Sequence, residues 1–97
     1  MIERIVKMTL KEERINDFIN FSSEIKPTIK GQAGCLYLEI MQDIKDKEIF
    51  FTCSRWNSED DLNNYRQSDF FLKVWPKAKE WFSAKPEAWS LIQTGKE

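Results

Sequence analysis

The segment FFTCSRWNSEDDLNNYRQSDFFLKVW, Phe50 to Trp75, concentrates the side chains with the most chemical potential. It places an aromatic strand ahead of a helix start and then continues with aromatic residues at helical spacing, an arrangement that can wall a pocket for a flat ligand. Neither this segment nor the rest of the chain contains a histidine. Histidine is the side chain whose ordinary pKa lies near neutrality. Without it, proton transfer falls to carboxylates with shifted pKa or to a ligand that is already acidic.

Other candidate chemistry has a plainer reading. Cys35 and Cys53 lack CxxC spacing and histidine companions, which fits two buried small hydrophobes better than a zinc site or a redox pair. Glu59, Asp60 and Asp61 follow Ser58 and crowd the positive end of a helix dipole, so they mark a helix start and not a metal site. With 15 basic and 16 acidic residues and no long block of either sign, the footprint of a nucleic-acid binder is absent. The N-terminus, MIERIVKMTLKEER, alternates charged and apolar residues, unlike a signal peptide or membrane span. The expectation is a cytoplasmic protein with no membrane partner. A length of 97 residues, about two-fifths apolar, suits one domain spanning 1–97 around one core.

The elements that must position the aromatic segment alternate in period. Ile2 to Leu10 reads as a strand, with Arg4, Val6, Met8 and Leu10 on one side and Ile5, Lys7 and Thr9 on the other. Ile15, Phe18, Ile19 and Ile25 recur at helical spacing until Pro27, which is expected to kink or end the helix. Gly31 and Gly34 supply a turn. Cys35–Gln42 and Glu48–Trp56 then form a hairpin closed by DIKDK. A helix opens at Asn57 and Ser58 and its spacing continues through Phe71, Trp75, Ala78 and Phe82, with a disturbance expected near Pro76. Glu87–Gln93 closes the chain as a strand. The order β-α-β-β-α-β predicts an α+β, ferredoxin-like fold: a four-stranded antiparallel sheet with the helices on one face.

Closing the hairpin with Asp43 opposite Glu48 puts Leu36, Leu38 and Ile40 on one face with Ile49, Phe51, Cys53 and Arg55. Tyr37, Glu39 and Met41 then share the other face with Phe50, Thr52, Ser54 and Trp56. That second face is too aromatic to stand in water, which predicts a homodimer through the sheet face opposite the helices, burying Phe50, Tyr37 and Met41 of both copies.

RIVKMTLKEERINDF, GCLYLEIMQD and IFFTCSRWNSEDDLNNYRQSDFF together resemble the antibiotic biosynthesis monooxygenase domain of the dimeric α+β barrel superfamily. The middle block carries most of the likeness. The resemblance implies a dimeric α+β barrel with a small pocket in each subunit, and a monooxygenase acting on a small phenol or quinol with no metal or flavin cofactor. In such a reaction a phenolate reduces oxygen directly in a pocket that excludes water. A phenol titrates near pKa 10, so a carboxylate near 4 is mismatched as a base by about 6 units, or roughly 8 kcal/mol, against about 3.5 units for histidine.

Typical members carry histidines around the middle block where this chain has Tyr65 and Asp69. The base then falls to Asp69 or Glu39 with a pKa raised by burial, and Arg55 becomes the stabiliser of the phenolate or quinone oxygen. Trp56, Tyr65, Phe71 and Trp75 are the candidate substrate-binding residues. In the heme-degrading branch of the family, a helical histidine and a tryptophan contact the heme, and their positions fall here on Trp75 and Tyr65. The first strand also lacks that branch's asparagine, so heme ligation of that type does not carry over. Plainer roles stay open: Phe71, Trp75 and Phe82 as core, Trp56 as a plug, Arg55 as an ion-pair partner and Glu39 at solvent. The family also leaves room for a non-catalytic binder of a flat hydrophobic ligand, or a structural dimer.

Overall fold

Apolar side chains at every second position build the sheet in the computed structural model, which describes residues 1–95. Positions 96 and 97 of the expected 1–97 domain lie outside the described residues. The elements run β1 (Ile2–Thr9), a 3-10 turn at Glu12–Arg14, α1 (Ile15–Lys30), β2 (Cys35–Gln42), β3 (Ile49–Trp56), α2 (Glu59–Arg66), α3 (Asp69–Lys79) and β4 (Glu87–Leu91). The strands pair antiparallel in the order β2-β3-β1-β4, with the helices on one face, which is the expected ferredoxin-like arrangement. Met8, Leu10, Phe18, Phe50 and Ala78 form the buried core between sheet and helices. Among the described residues no helix is long and apolar enough to cross a membrane.

The hairpin register differs from the sequence expectation by one residue. Gln42 pairs with Phe50, and Ile40 with Thr52. The cause lies in the connection: the Asp43 carboxylate accepts from the backbone N–H groups of Lys45 (2.9 Å) and Asp46 (2.7 Å), and Asp46 in turn accepts from that of Glu48 (3.0 Å). These side-chain-stabilised turns hold 43–48 in the loop, so β3 begins at Ile49. A slip of one residue exchanges every face. Leu38 and Ile40 therefore join Phe50, Thr52, Ser54 and Trp56 under the helices. Tyr37, Glu39 and Met41 join Ile49, Phe51, Cys53 and Arg55 on the open face. Phe50, expected at a dimer interface, is a core residue. Leu36 falls at a bulge between Cys35 and Tyr37 and is exposed.

The helices also depart from expectation. Pro27 and Pro76 lie inside α1 and α3. Both sit on exposed positions, as do Ser23 and Leu72 four residues earlier, so water can reach the carbonyls that lose a donor. The long aromatic helix divides at Gln67 and Ser68. Ser68 caps α3, accepting from the Phe71 N–H (3.2 Å) while its hydroxyl donates to the Tyr65 carbonyl (2.6 Å).

Candidate functional site

A cavity of about 350 Å3 lies between the sheet and the three helices, within the size range of small-molecule sites, roughly 300–1,000 Å3. Its floor is the inward side of the strands: Arg4, Val6 and Met8 from β1, Leu38 and Ile40 from β2, and Thr52, Ser54 and Trp56 from β3. The helices contribute Phe21, Ile25, Tyr65, Arg66, Phe71 and Trp75 among others.

The aromatic residues form a continuous wall. Trp56 stacks on Tyr65 (5.1 Å between centroids, 21° between planes), and Tyr65 meets Phe71 edge-on at 5.2 Å. Phe71 stacks on Trp75 (5.9 Å, 12°), which meets Phe82 edge-on. Local capping sets this wall. The Ser68 bend brings Tyr65 at the end of α2 against Phe71 at the start of α3. Ser58 caps α2 through the Asp61 N–H (3.1 Å). Asp61 occupies the space beside Gly34, which has φ +82° and no room for a Cβ, so α2 is held against the entry to β2. Trp56 is fully buried and donates from Nε1 to Ser54 Oγ (3.0 Å).

The cavity's charge is one-sided. Among the described residues its lining includes two guanidiniums, Arg4 and Arg66, and no aspartate, glutamate or histidine. Arg4 donates to Ser90 Oγ on β4 (2.9 Å), and its buried Nε has no hydrogen-bond partner. Burial, and then the nearby Arg66 charge, push the Arg4 pKa below the usual arginine value, although a guanidinium stays charged at neutral pH. Burial, with a smaller contribution from Cys35, pushes the Tyr65 phenol upward. Its hydroxyl is therefore a neutral donor or acceptor at physiological pH, and not a base.

Of the residues marked out by the sequence, Trp56, Tyr65, Phe71 and Trp75 line the cavity. Arg55 and Asp69 do not. The register places Arg55 on the opposite sheet face, where Nε donates to Glu3 Oε1 (2.7 Å) and the guanidinium lies over the Tyr37 ring at 5.1 Å. Asp69 is exposed in the first turn of α3. Glu39 bonds Lys26 Nζ at 2.9 Å, which lowers its pKa, the reverse of the raised value required of a base. Arg4 and Arg66 are not among the expected site residues. A signal for Arg4 existed: it is the one charged residue on the strand side that carries Val6, Met8 and Leu10. Among the described residues, no group of three or more histidine, cysteine, aspartate or glutamate side chains is placed to hold a metal ion.

The antibiotic biosynthesis monooxygenase family model matches residues 1–76. No curated protein sequence matches the chain. Among solved structures, a conserved protein from Methanosarcina mazei Go1 superposes with a TM-score of 0.91 at 22% identity, covering 96% of this chain and 92% of its own. An antibiotic biosynthesis monooxygenase superposes with a TM-score of 0.91 at 17% identity, covering 98% of this chain and 100% of its own. A Nitrosomonas europaea protein carrying the same family name gives 0.88 at 14% identity, with coverages of 96% and 98%. At these identities the superpositions establish the fold.

Proposed function

Because the chain belongs to the antibiotic biosynthesis monooxygenase family, we propose that it is a cofactor-independent monooxygenase whose substrate is a small phenol or quinol held in the cavity against the Trp56–Tyr65–Phe71–Trp75 wall. The observation that supports this reading best is the aromatic cavity with the half-buried Arg4 on its floor, whose Nε is buried without an acceptor. Among the described residues no carboxylate lines it, so the substrate's proton is lost to water and the anion is held electrostatically. An opposite charge within contact distance lowers a pKa by about 1–3 units, which brings a phenol from near 10 into reach of neutral pH without a base. Arg4 takes the stabilising role that the sequence suggested for Arg55. The phenolate passes an electron to oxygen, the radical pair recombines at a ring carbon, the peroxide anion takes a proton back from water, and the resulting hydroperoxide loses water to leave a quinone. One oxygen atom enters the ring and the other departs as water.

The open sheet face supports a homodimer. It presents Tyr37, Met41, Trp89 and Leu91, each about two-fifths to one-half exposed, and a second copy would cover them. Phe51→Glu in the middle of this face is expected to turn a dimer into a monomer in analytical ultracentrifugation.

Oxygen uptake over a panel of benzo- and naphthohydroquinones tests the catalytic reading, with a rate above the uncatalysed one expected. A panel that shows no excess uptake overturns it. The base-free lining also favours a second reading, a non-catalytic binder of a flat ligand, for which thermal stabilisation without turnover is the signature.

A further inference from the structure

We infer that the cavity selects planar aromatic oxyanions, meaning aromatic carboxylates or phenols already ionised at neutral pH, through Arg4 on its floor and Arg66 beside it. This inference rests on the reading of the cavity as the ligand site and narrows its substrate class.

Among the described residues most lysines stand exposed without an ion pair, so position in the cavity, and not lack of a partner alone, sets Arg4 and Arg66 apart. Lys7, Arg14, Lys26 and Arg55 each have a carboxylate within ion-pair distance. Among the described residues neither Arg4 nor Arg66 has one, and both line the same cavity. A partly desolvated cation without a counter-ion carries a cost, and a second cation beside it adds repulsion. The hydroxyl of Ser90 relieves one nitrogen of Arg4, yet the Nε–H is buried with no acceptor.

A neutral quinol would leave this imbalance in place. An anionic oxygen satisfies the orphaned N–H and offsets both charges at once, and it forms the stronger, charge-assisted kind of hydrogen bond. The aromatic wall supplies the complementary requirement, a flat apolar body attached to that oxygen. The ligand therefore has two ends: a ring against Tyr65, Phe71 and Trp75, and an oxyanion against Arg4.

Titration calorimetry with 2-naphthoate and 2-naphthamide, which share a ring system and differ in charge, tests this directly. The carboxylate should bind at least about tenfold tighter than the amide. That preference should collapse in Arg4→Met, narrow in Arg66→Gln and persist in part in Arg4→Lys. 4-Nitrophenol, followed through its own ionisation, separates the two sources: affinity rising with the phenolate fraction shows that ionised phenols are taken as well as carboxylates. Arg66 is exposed, so Arg66→Gln gives a folded variant even if a substitution at the half-buried Arg4 does not. Equal affinity for acid and amide, failure of both anions to bind, or a preference unchanged in Arg66→Gln and Arg4→Met overturns the inference. Oxygen uptake is read separately. Turnover of neutral quinols with no preference for anions defeats the inference and leaves the oxygenase standing, whereas anion-selective binding without uptake supports the inference and defeats the oxygenase.

Discussion

Arg4 and Arg55 stand on neighbouring strands, where Arg4 lies opposite Ser54 and Arg55 opposite Glu3, and they face opposite sides of one sheet. On the open side, Arg55 meets a carboxylate in water and lies over the Tyr37 ring. On the helix side, Arg4 donates to the Ser90 hydroxyl, and its buried Nε has no acceptor at all. The same guanidinium is thus neutralised on one face and left unbalanced on the other. A charge that already has a partner contributes little to recognition; one that lacks a partner is available to a ligand. The aromatic residues divide in the same way, with Trp56 fully buried in the cavity wall and Trp89 exposed at 43% on the open face.

The largest effect expected from breaking this contrast is on stability. Trp56→Ala removes a ring that is 1% exposed, stacked on Tyr65 and hydrogen-bonded to Ser54, and should cost about 3–5 kcal/mol in urea unfolding. Trp89→Ala should cost far less within one chain and act instead through association, lowering the melting temperature more at high protein concentration than at low. Comparable losses for the two variants, independent of concentration, would erase the distinction between the faces.

Activity sharpens the contrast next. Arg4→Met should reduce oxygen uptake by about tenfold to a hundredfold, corresponding to a charged hydrogen bond of about 1.5–3 kcal/mol. Arg55→Met should leave it within about twofold, since the side chain is on the other face. The reverse pattern would return the stabilising role to Arg55. A smaller effect is expected from the Glu3–Arg55 pair itself: both side chains are about half exposed, so a double-mutant cycle should give about 0–1 kcal/mol.

How far the sequence disclosed this arrangement depended on the kind of signal. The order of elements, the Ser58 cap and the four wall aromatics were legible, because alternation, helical spacing and cap residues are local properties of the chain. Arg55 was grouped with Leu38 and Ile40 by a single non-local quantity, the hairpin register, and the observed pairing moves it to the opposite face. DIKDK looks like a short connection, but the side chains of Asp43 and Asp46 bond the backbone within it, and the loop extends to Glu48. Periodicity along one strand says which residues share a side; it does not say which side of the next strand they join. Arg4 could still have been noticed, since an arginine among Val6, Met8 and Leu10 is a charge on an otherwise apolar side.

That dependence on one turn yields the smallest and most local prediction. The Asp43 carboxylate accepts first from the Asp46 N–H and then from the Lys45 N–H, and these bonds hold its pKa below the ordinary aspartate value. A depressed carboxyl contributes stability that is fully present above the unfolded pKa, about 3.9, and is lost as pH falls through the lower folded value. Carboxyl-detected NMR should therefore show Asp43 titrating below a free aspartate, with amide protection at Lys45 and Asp46 fading over that same acidic interval. Asp43→Ala should remove that protection at neutral pH while leaving the β1–β3 pairing intact, because that ladder closes elsewhere in the sheet. If Asp43 titrates as a free side chain and the alanine variant keeps full amide protection, this carboxylate does not set the β2–β3 register, and the placement of Leu38 and Ile40 beside Thr52 and Ser54 has another cause.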